Sequence, residues 1–246
     1  MGLPVSLLAR GSAARSPQAD QAAQHLYAEL HEADRVFSLY RPDSTLSRLS
    51  RGELRLVDAG EDVGAVAARC DWARELTAGR FDATRPDGVW DPAGLVKGWA
   101  AERAAGRLVD VPDVDWCLNA GGDVLVSSAT GEPFTVGIQD PRDASRVAAT
   151  VTCALGAVAT SGTAARGAHL YDPGTGRAAG NRWLSISVAG PSLEIADVLA
   201  TAAFIAGEAW VAVVHLVPAY EGLAVGADGA LMSTSGWAAM ALGGPA

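Results

Sequence analysis

The strongest apolar periodicity in the chain lies in PSLEIADVLATAAFIAG, residues 191–207. Leu193, Ile195, Ala196, Val198, Leu199, Ala200, Ala202, Ala203, Phe204 and Ile205 predict a helix buried on nearly every side. Ser192, after Pro191, is placed to cap its N-terminus. Asp197 and Thr201 interrupt the pattern. Four residues apart, they share one face, a turn from each other. A buried carboxylate without a partner is costly. The pattern leaves two readings open. A hard cation such as Mg²⁺ takes oxygen ligands with one or two carboxylates. Alternatively, Asp197 pairs with an arginine, and Thr201 bonds the carbonyl four residues back in its own helix.

The other elements follow from the same signals. Residues 3–9 predict an opening strand, and residues 17–38 carry apolar positions at helical spacing. RPDS, 41–44, is a turn. Residues 61–78 predict a second amphipathic helix, stopped at Gly79. RFDATRPDGVWDPAGLVKGWAAERAAGRL is loop-like in its first half and helical from about Leu95. After residue 113 come short β-rich runs: WCLNA, DVLVSSA, FTVGIQ, VAATVTCAL and AVATSG. WLSISVAG is a further strand and feeds the buried helix. EAWVAVVHLV predicts a shorter helix, and LAVGADGALMSTSG a hairpin turning at Asp228-Gly229. Helices cluster early and strands late, with one helix returning at 192–206. That order predicts one α+β domain over 1–246 rather than a βαβ alternation.

Composition narrows the function. A 246-residue domain buries roughly 70–75% of its unfolded surface, and a 49% hydrophobic chain can fill such a core. The net charge of −9 argues against nucleic acid as a partner. An anionic ligand would need a metal or a helix N-terminus to help hold it. Cys70, Cys117 and Cys153 are odd in number, far apart and in no CxxC pair, so neither a disulfide framework nor a zinc site is expected. The four histidines have no metal-ligand spacing. MGLPVSLLARGSAAR lacks the basic region and long apolar stretch of a signal peptide, and no lipobox-type cysteine follows. No run approaches the ~20 apolar residues of a spanning helix. The expectation is a cytoplasmic protein without a membrane span.

Three further stretches carry candidate chemistry. In DPAGLVKGWAAER, 91–103, Asp91 and Pro92 end a turn, Gly94 permits close backbone approach, and Lys97 and Gly98 open a helix. Glycine, a helix N-terminus and a lysine form a phosphate-binding arrangement, or an ordinary loop-to-helix junction. It is neither a Walker A motif nor GxGxxG. LNAGGDV, 118–124, reads as a tight turn after a strand. ATSGTAARGAHLYDPGTG, 159–176, is a polar, glycine-rich loop carrying His169 and Asp172.

Taken together and in order, MGLPVSL, YRPDSTLSRLS, FDAT, DPAGLVKG, NAGGD, ATSG, HLYDPGTG and ADVLAT resemble the ApbE family of FAD:protein FMN transferases. Each motif is weak alone; eight in register over residues 1 to about 235 are specific. The resemblance implies mostly antiparallel sheets packed with helices. It implies an enzyme that cleaves the FAD pyrophosphate, attaches FMN to a threonine or serine of an acceptor protein, and releases AMP with Mg²⁺. The metal ligands it implies are Asp197, Thr201 and the carbonyl of Gly94. Tyr40 resembles the residue that stacks on flavin. Arg80, Phe81, Asp82, Asp91 and Lys97 resemble FAD contacts, with Lys97 near the phosphates, and Met1 aligns with an FAD-touching start. His169 resembles a histidine beside the pyrophosphate and is the expected catalytic base. The alternatives are Mg²⁺-dependent hydrolysis of FAD to FMN and AMP, or FAD binding without catalysis. The chain departs from the family pattern at Ala93, which replaces a glycine, at TAARGA, 163–168, and at RPDGVW, 85–90, where relatives carry a longer insertion.

Overall fold

A computed structural model describes residues 2–163, 170–179 and 182–241. Strand β1 (Val5–Arg10) leads to helices α1 (Pro17–Phe37), α2 (Thr45–Ser50), α3 (Glu61–Leu76) and α4 (Ala93–Val109). Strands β2 (Asp115–Ala120), β3 (Asp123–Ser127), β4 (Phe134–Asp140), β5 (Asp143–Cys153) and β6 (Leu155–Gly162) follow. Next come the short β7 (Tyr171–Asp172) and β8 (Arg177–Ala178), and β9 (Trp183–Gly190). The chain continues through α5 (Leu193–Ala206), α6 (Trp210–Val214), β10 (Glu221–Gly226), β11 (Leu231–Ser233) and α7 (Trp237–Ala241).

The main sheet has the order β1-β2-β3-β6-β9-β10-β11, and all of its pairings are antiparallel. The fold is therefore α+β with antiparallel sheets. One sheet face carries the larger core, built from α1, α3, α4 and α5. The opposite face packs Val124, Val126 and Val158 against Phe134, Val136 and Ile138 of the β4–β5 ribbon, with Trp237 closing the layer. Strand β3 thus divides its side chains between two apolar layers, Leu125 on one and Val124 and Val126 on the other, as the period of two requires. This is why β3 reads as a continuous apolar run rather than an alternating one.

Local signals explain most boundaries. Ser16 Oγ accepts the Ala19 N–H at 3.2 Å and starts α1. Ser44, buried, accepts the Ser47 N–H at 3.0 Å and starts α2, which the turn signal of RPDS did not predict as a helix. At the end of α3, Gly79 takes φ +78° and its N–H reaches Arg74 O at 2.8 Å. Helix α4 begins at Ala93, two residues before the expected Leu95, because the Leu95 and Val96 N–H groups both reach Pro92 O at 2.9 Å. The hairpin at Asp228-Gly229 forms as expected, with Gly229 at φ +86°.

One expectation is corrected. The run Leu193–Val214 is 22 residues long and reaches a mean hydropathy of 1.6, enough by length and composition to span a bilayer. In the fold, 61% of its most apolar window is buried, and Gly207, at φ +60°, breaks it into α5 and α6. Helix α5 lies between α4 and the sheet, so burial inside the core accounts for its apolarity.

Candidate active site

A cleft of about 1760 Å³ opens where α4, α5 and strands β3 and β6 meet the β4–β5 ribbon. Its floor is ionic. Lys97, in the second turn of α4, places Nζ 2.5 Å from Asp123 Oδ2 and 3.3 Å from Asp197 Oδ1. The lysine side chain is 14% exposed and each carboxylate 2%. Asp123 Oδ1 accepts the Thr160 N–H at 3.1 Å. Beside them, the hydroxyls of Thr201 and Ser161 lie 3.0 Å apart. Among the described residues, the cation facing Asp197 is Lys97, where the sequence had suggested an arginine. Thr201 is bonded to a neighbouring strand rather than spending its hydroxyl only on its own helix.

Local structure delivers each group. Gly121 and Gly122 take φ +64° and +99°, and Asn119 Oδ1 accepts the Gly122 N–H at 2.9 Å. This turn sets Asp123 at the head of β3, pointing into the cleft. The LNAGGDV stretch is therefore both the expected turn and the carrier of a site residue, Asp123, that its pattern did not single out. The available signal was an aspartate opening a strand that is otherwise apolar. Helix α5 contributes Asp197 and Thr201 from one face, as the i, i+4 spacing required. The helices approach closely through Gly98: a Cβ there would lie 2.8 Å from Glu194 Cα and 2.9 Å from Leu193 O.

The remaining predicted residues fall around the same cleft. Tyr40 is 90% exposed at the rim, on a segment held by Ser44 Oγ and Ser47 Oγ, which both donate to Ser38 O. Arg80 is half-buried and lines the cleft. Phe81 is buried beneath Gly94, whose added Cβ would meet its ring at 3.3 Å. Asp82 accepts the Thr84 N–H at 2.7 Å and Arg74 Nε at 2.9 Å. Asp91 accepts the Ala93 N–H at 3.1 Å, closing the first turn of α4. The short RPDGVW segment is pinched shut by an antiparallel bridge between Thr84 and Trp90. Tyr171, not foreseen as a site residue, also lines the cleft; burial and then the nearby Asp91 push its phenol above the usual range. Met1 and His169 lie outside the described residues.

Asp197, Thr201 and Ser161 offer carboxylate and hydroxyl oxygens, and among the described residues the cleft lining holds no cysteine or histidine. Among them, too, no three acidic, thiol or imidazole side chains gather as a metal cage. The Asp197 carboxylate and the two hydroxyls are the oxygen donors that suit Mg²⁺, which takes one or two carboxylates and completes its shell with ligand oxygens and water. Gly94 is the second residue of α4, so its carbonyl points along the helix toward Gly98. A carbonyl has two lone pairs, so this ladder position leaves one for a cation.

Fold and site define an antiparallel α+β protein with a large cleft floored by a buried lysine–carboxylate cluster. The ApbE family model matches residues 1–91 and 86–222, and the chain belongs to that family. An FAD:protein FMN transferase of Vibrio cholerae serotype O1 is 29% identical over 134 residues, covering 50% of this chain and 40% of that protein. The aligned part thus spans two fifths of that relative's length. Among solved structures, the ApbE protein of Thermotoga maritima MSB8 superposes with a TM-score of 0.84 at 22% identity, over 98% of this chain and 96% of that one. The flavin transferase ApbE of Vibrio cholerae gives 0.75 at 20% identity, over 96% and 99%. These likenesses establish the fold.

Proposed function

We propose that the chain is a Mg²⁺-dependent transferase that cleaves FAD and attaches FMN to a threonine or serine hydroxyl of an acceptor protein, releasing AMP. The observation that carries this reading is the Lys97–Asp123–Asp197 cluster on the cleft floor, with the Thr201 and Ser161 hydroxyls beside it. Family membership gives the cluster its context.

Asp197, Thr201 and the Gly94 carbonyl would hold the cation, which when bound supplies charge neutralisation at the pyrophosphate. Lys97 adds a compact positive charge at the same place, held by Asp123 and Asp197 rather than left to wander. The first turn of α4 brings the positive end of its dipole to the cleft, which suits a phosphate. Tyr40 offers an exposed ring at the rim for stacking on the isoalloxazine. Arg80, Phe81, Asp82 and Asp91 shape the wall on that side, and Met1 belongs to the same FAD contact set. In the transfer, the acceptor oxygen forms a bond to the FMN phosphorus while the bridging P–O bond breaks. AMP departs with the bridging oxygen, and the acceptor proton passes to a base, which we assign to His169. The work of such a site is positioning and electrostatic stabilisation. We place the protein in the cytoplasm on the footing the sequence supplies, three cysteines in no CxxC pair.

The test is intact mass and AMP chromatography on one tube holding the protein, FAD, Mg²⁺ and an acceptor domain with a flavinylation threonine. One FMN gained per acceptor, with equimolar AMP, is the expected result, and Asp197→Ala abolishes both. AMP without a mass gain points instead to FAD hydrolysis. Bound FAD without AMP leaves a flavin carrier and removes the catalytic assignments.

A further inference from the structure

A hydroxyl has one proton and two lone pairs. When Thr201 gives a lone pair to a cation, its proton must point elsewhere, toward an acceptor. The fold supplies one on the neighbouring strand: Ser161 Oγ, 3.0 Å from Thr201 Oγ1 and on a residue only 8% exposed. Either oxygen can donate while the site is empty of metal, but a cation on Thr201 fixes the direction from Thr201 to Ser161.

The strand that carries Ser161 is held on both sides. At Gly162, an added Cβ would lie 2.3 Å from Leu184 O and 2.9 Å from Ser185 Cα, so β9 leaves no room there for a side chain. At Thr160, the N–H is tied to Asp123 Oδ1 at 3.1 Å, and Oγ1 lies 2.7 Å from Ser187 Oγ. Thr201 itself is β-branched and stiff at χ1. The hydroxyl rotor is then its remaining freedom, and Ser161 is the group that can fix it.

We infer that Ser161 is a positioning residue that accepts the Thr201 proton and thereby turns a Thr201 lone pair toward the cation. This rests on the Mg²⁺ reading proposed above and deepens it. Partners of this kind orient metal ligands without touching the metal, and their loss typically weakens metal binding by about 10–100-fold.

The experiment is a MgCl₂ titration of the full chain without FAD, read by calorimetry and by the rise in thermal midpoint, on wild type, Ser161→Ala, Thr201→Ala and the double variant. Ser161→Ala is expected to weaken Mg²⁺ binding about tenfold. In the Thr201→Ala background the same change is expected to do nothing, because the group it acts through is gone. Ser161→Thr, which restores a hydroxyl, is expected to recover most of the affinity. Should that variant be too crowded to fold, the double-variant comparison still decides. Wild-type affinity in Ser161→Ala overturns the positioning role, as do equal losses in both backgrounds. Absence of Mg²⁺ binding by wild type overturns the metal reading itself, and this inference with it.

Discussion

Lys97 stands between two carboxylates that the chain buries almost completely, and its removal is the most informative single change at the site. Buried charges tolerate each other only as pairs, and deleting one partner of such a set costs about 3–5 kcal/mol. Lys97→Met should therefore lower unfolding free energy by about 3 kcal/mol in urea titrations and abolish the proposed FMN transfer. Asp123→Asn keeps the shape but loosens Lys97. It should reduce transfer more than it reduces folding stability, measured as rate against denaturation midpoint. Asp123 was the residue most easily missed in the sequence. A carboxylate after two glycines reads as turn chemistry, and only its contacts with Lys97 and the Thr160 N–H show that it faces inward. Asp197 and Thr201 were legible because helical spacing alone places them together. What faced them was not, because Lys97 lies a hundred residues away along the chain.

At the scale of elements, the packing of α4 on α5 decides whether those residues meet. Two glycines of α4 make opposite predictions. At Gly98 an added methyl would lie 2.8 Å from the α5 backbone, while at Gly106 it would meet nothing within 4 Å. Ala is the better helix former by about 0.5–1 kcal/mol, so Gly106→Ala should raise stability by about that amount. Overpacking costs about 1–3 kcal/mol, so Gly98→Ala should lower it, and transfer should fall as α4 and α5 are pushed apart. Thermal midpoints of the two variants check both signs. The sequence marked Gly98 as part of a helix opening, but could not show what lay against it. Similarly, α2 was hidden inside a turn signal, since RPDS names the cap and not the short helix it starts.

For the whole molecule, acid stability tests the outer strands. Burial alone would raise the carboxyl of Asp115, but the Thr130 N–H at 3.0 Å, the Thr130 hydroxyl at 2.8 Å and Arg10 at 3.1 Å hold it down to about 2, from 3.8. A depressed carboxylate contributes stability that is present in full above its unfolded pKa and lost as pH falls through the folded one. The loss should therefore appear between about pH 4 and pH 2. Asp115→Asn should flatten that part of the stability curve and leave a lower plateau near neutrality, read by urea midpoints at each pH. Asp140, held to about 2 by Arg142, adds to the same acid limb.

The sequence by itself determined the α+β order of elements, the burial of α5 and the shared face of Asp197 and Thr201. These follow from local periodicity, caps and turns, which act within a few residues of chain. It also held eight family motifs in register, which tied distant stretches to one expected cleft. Only the tertiary structure decided that Lys97 joins Asp123 and Asp197, that Ser161 meets Thr201, and that Phe81 is wall beneath Gly94. Those contacts depend on strand register and on the closeness of α4 to α5, and distances across a fold are set by packing rather than by spacing along the chain.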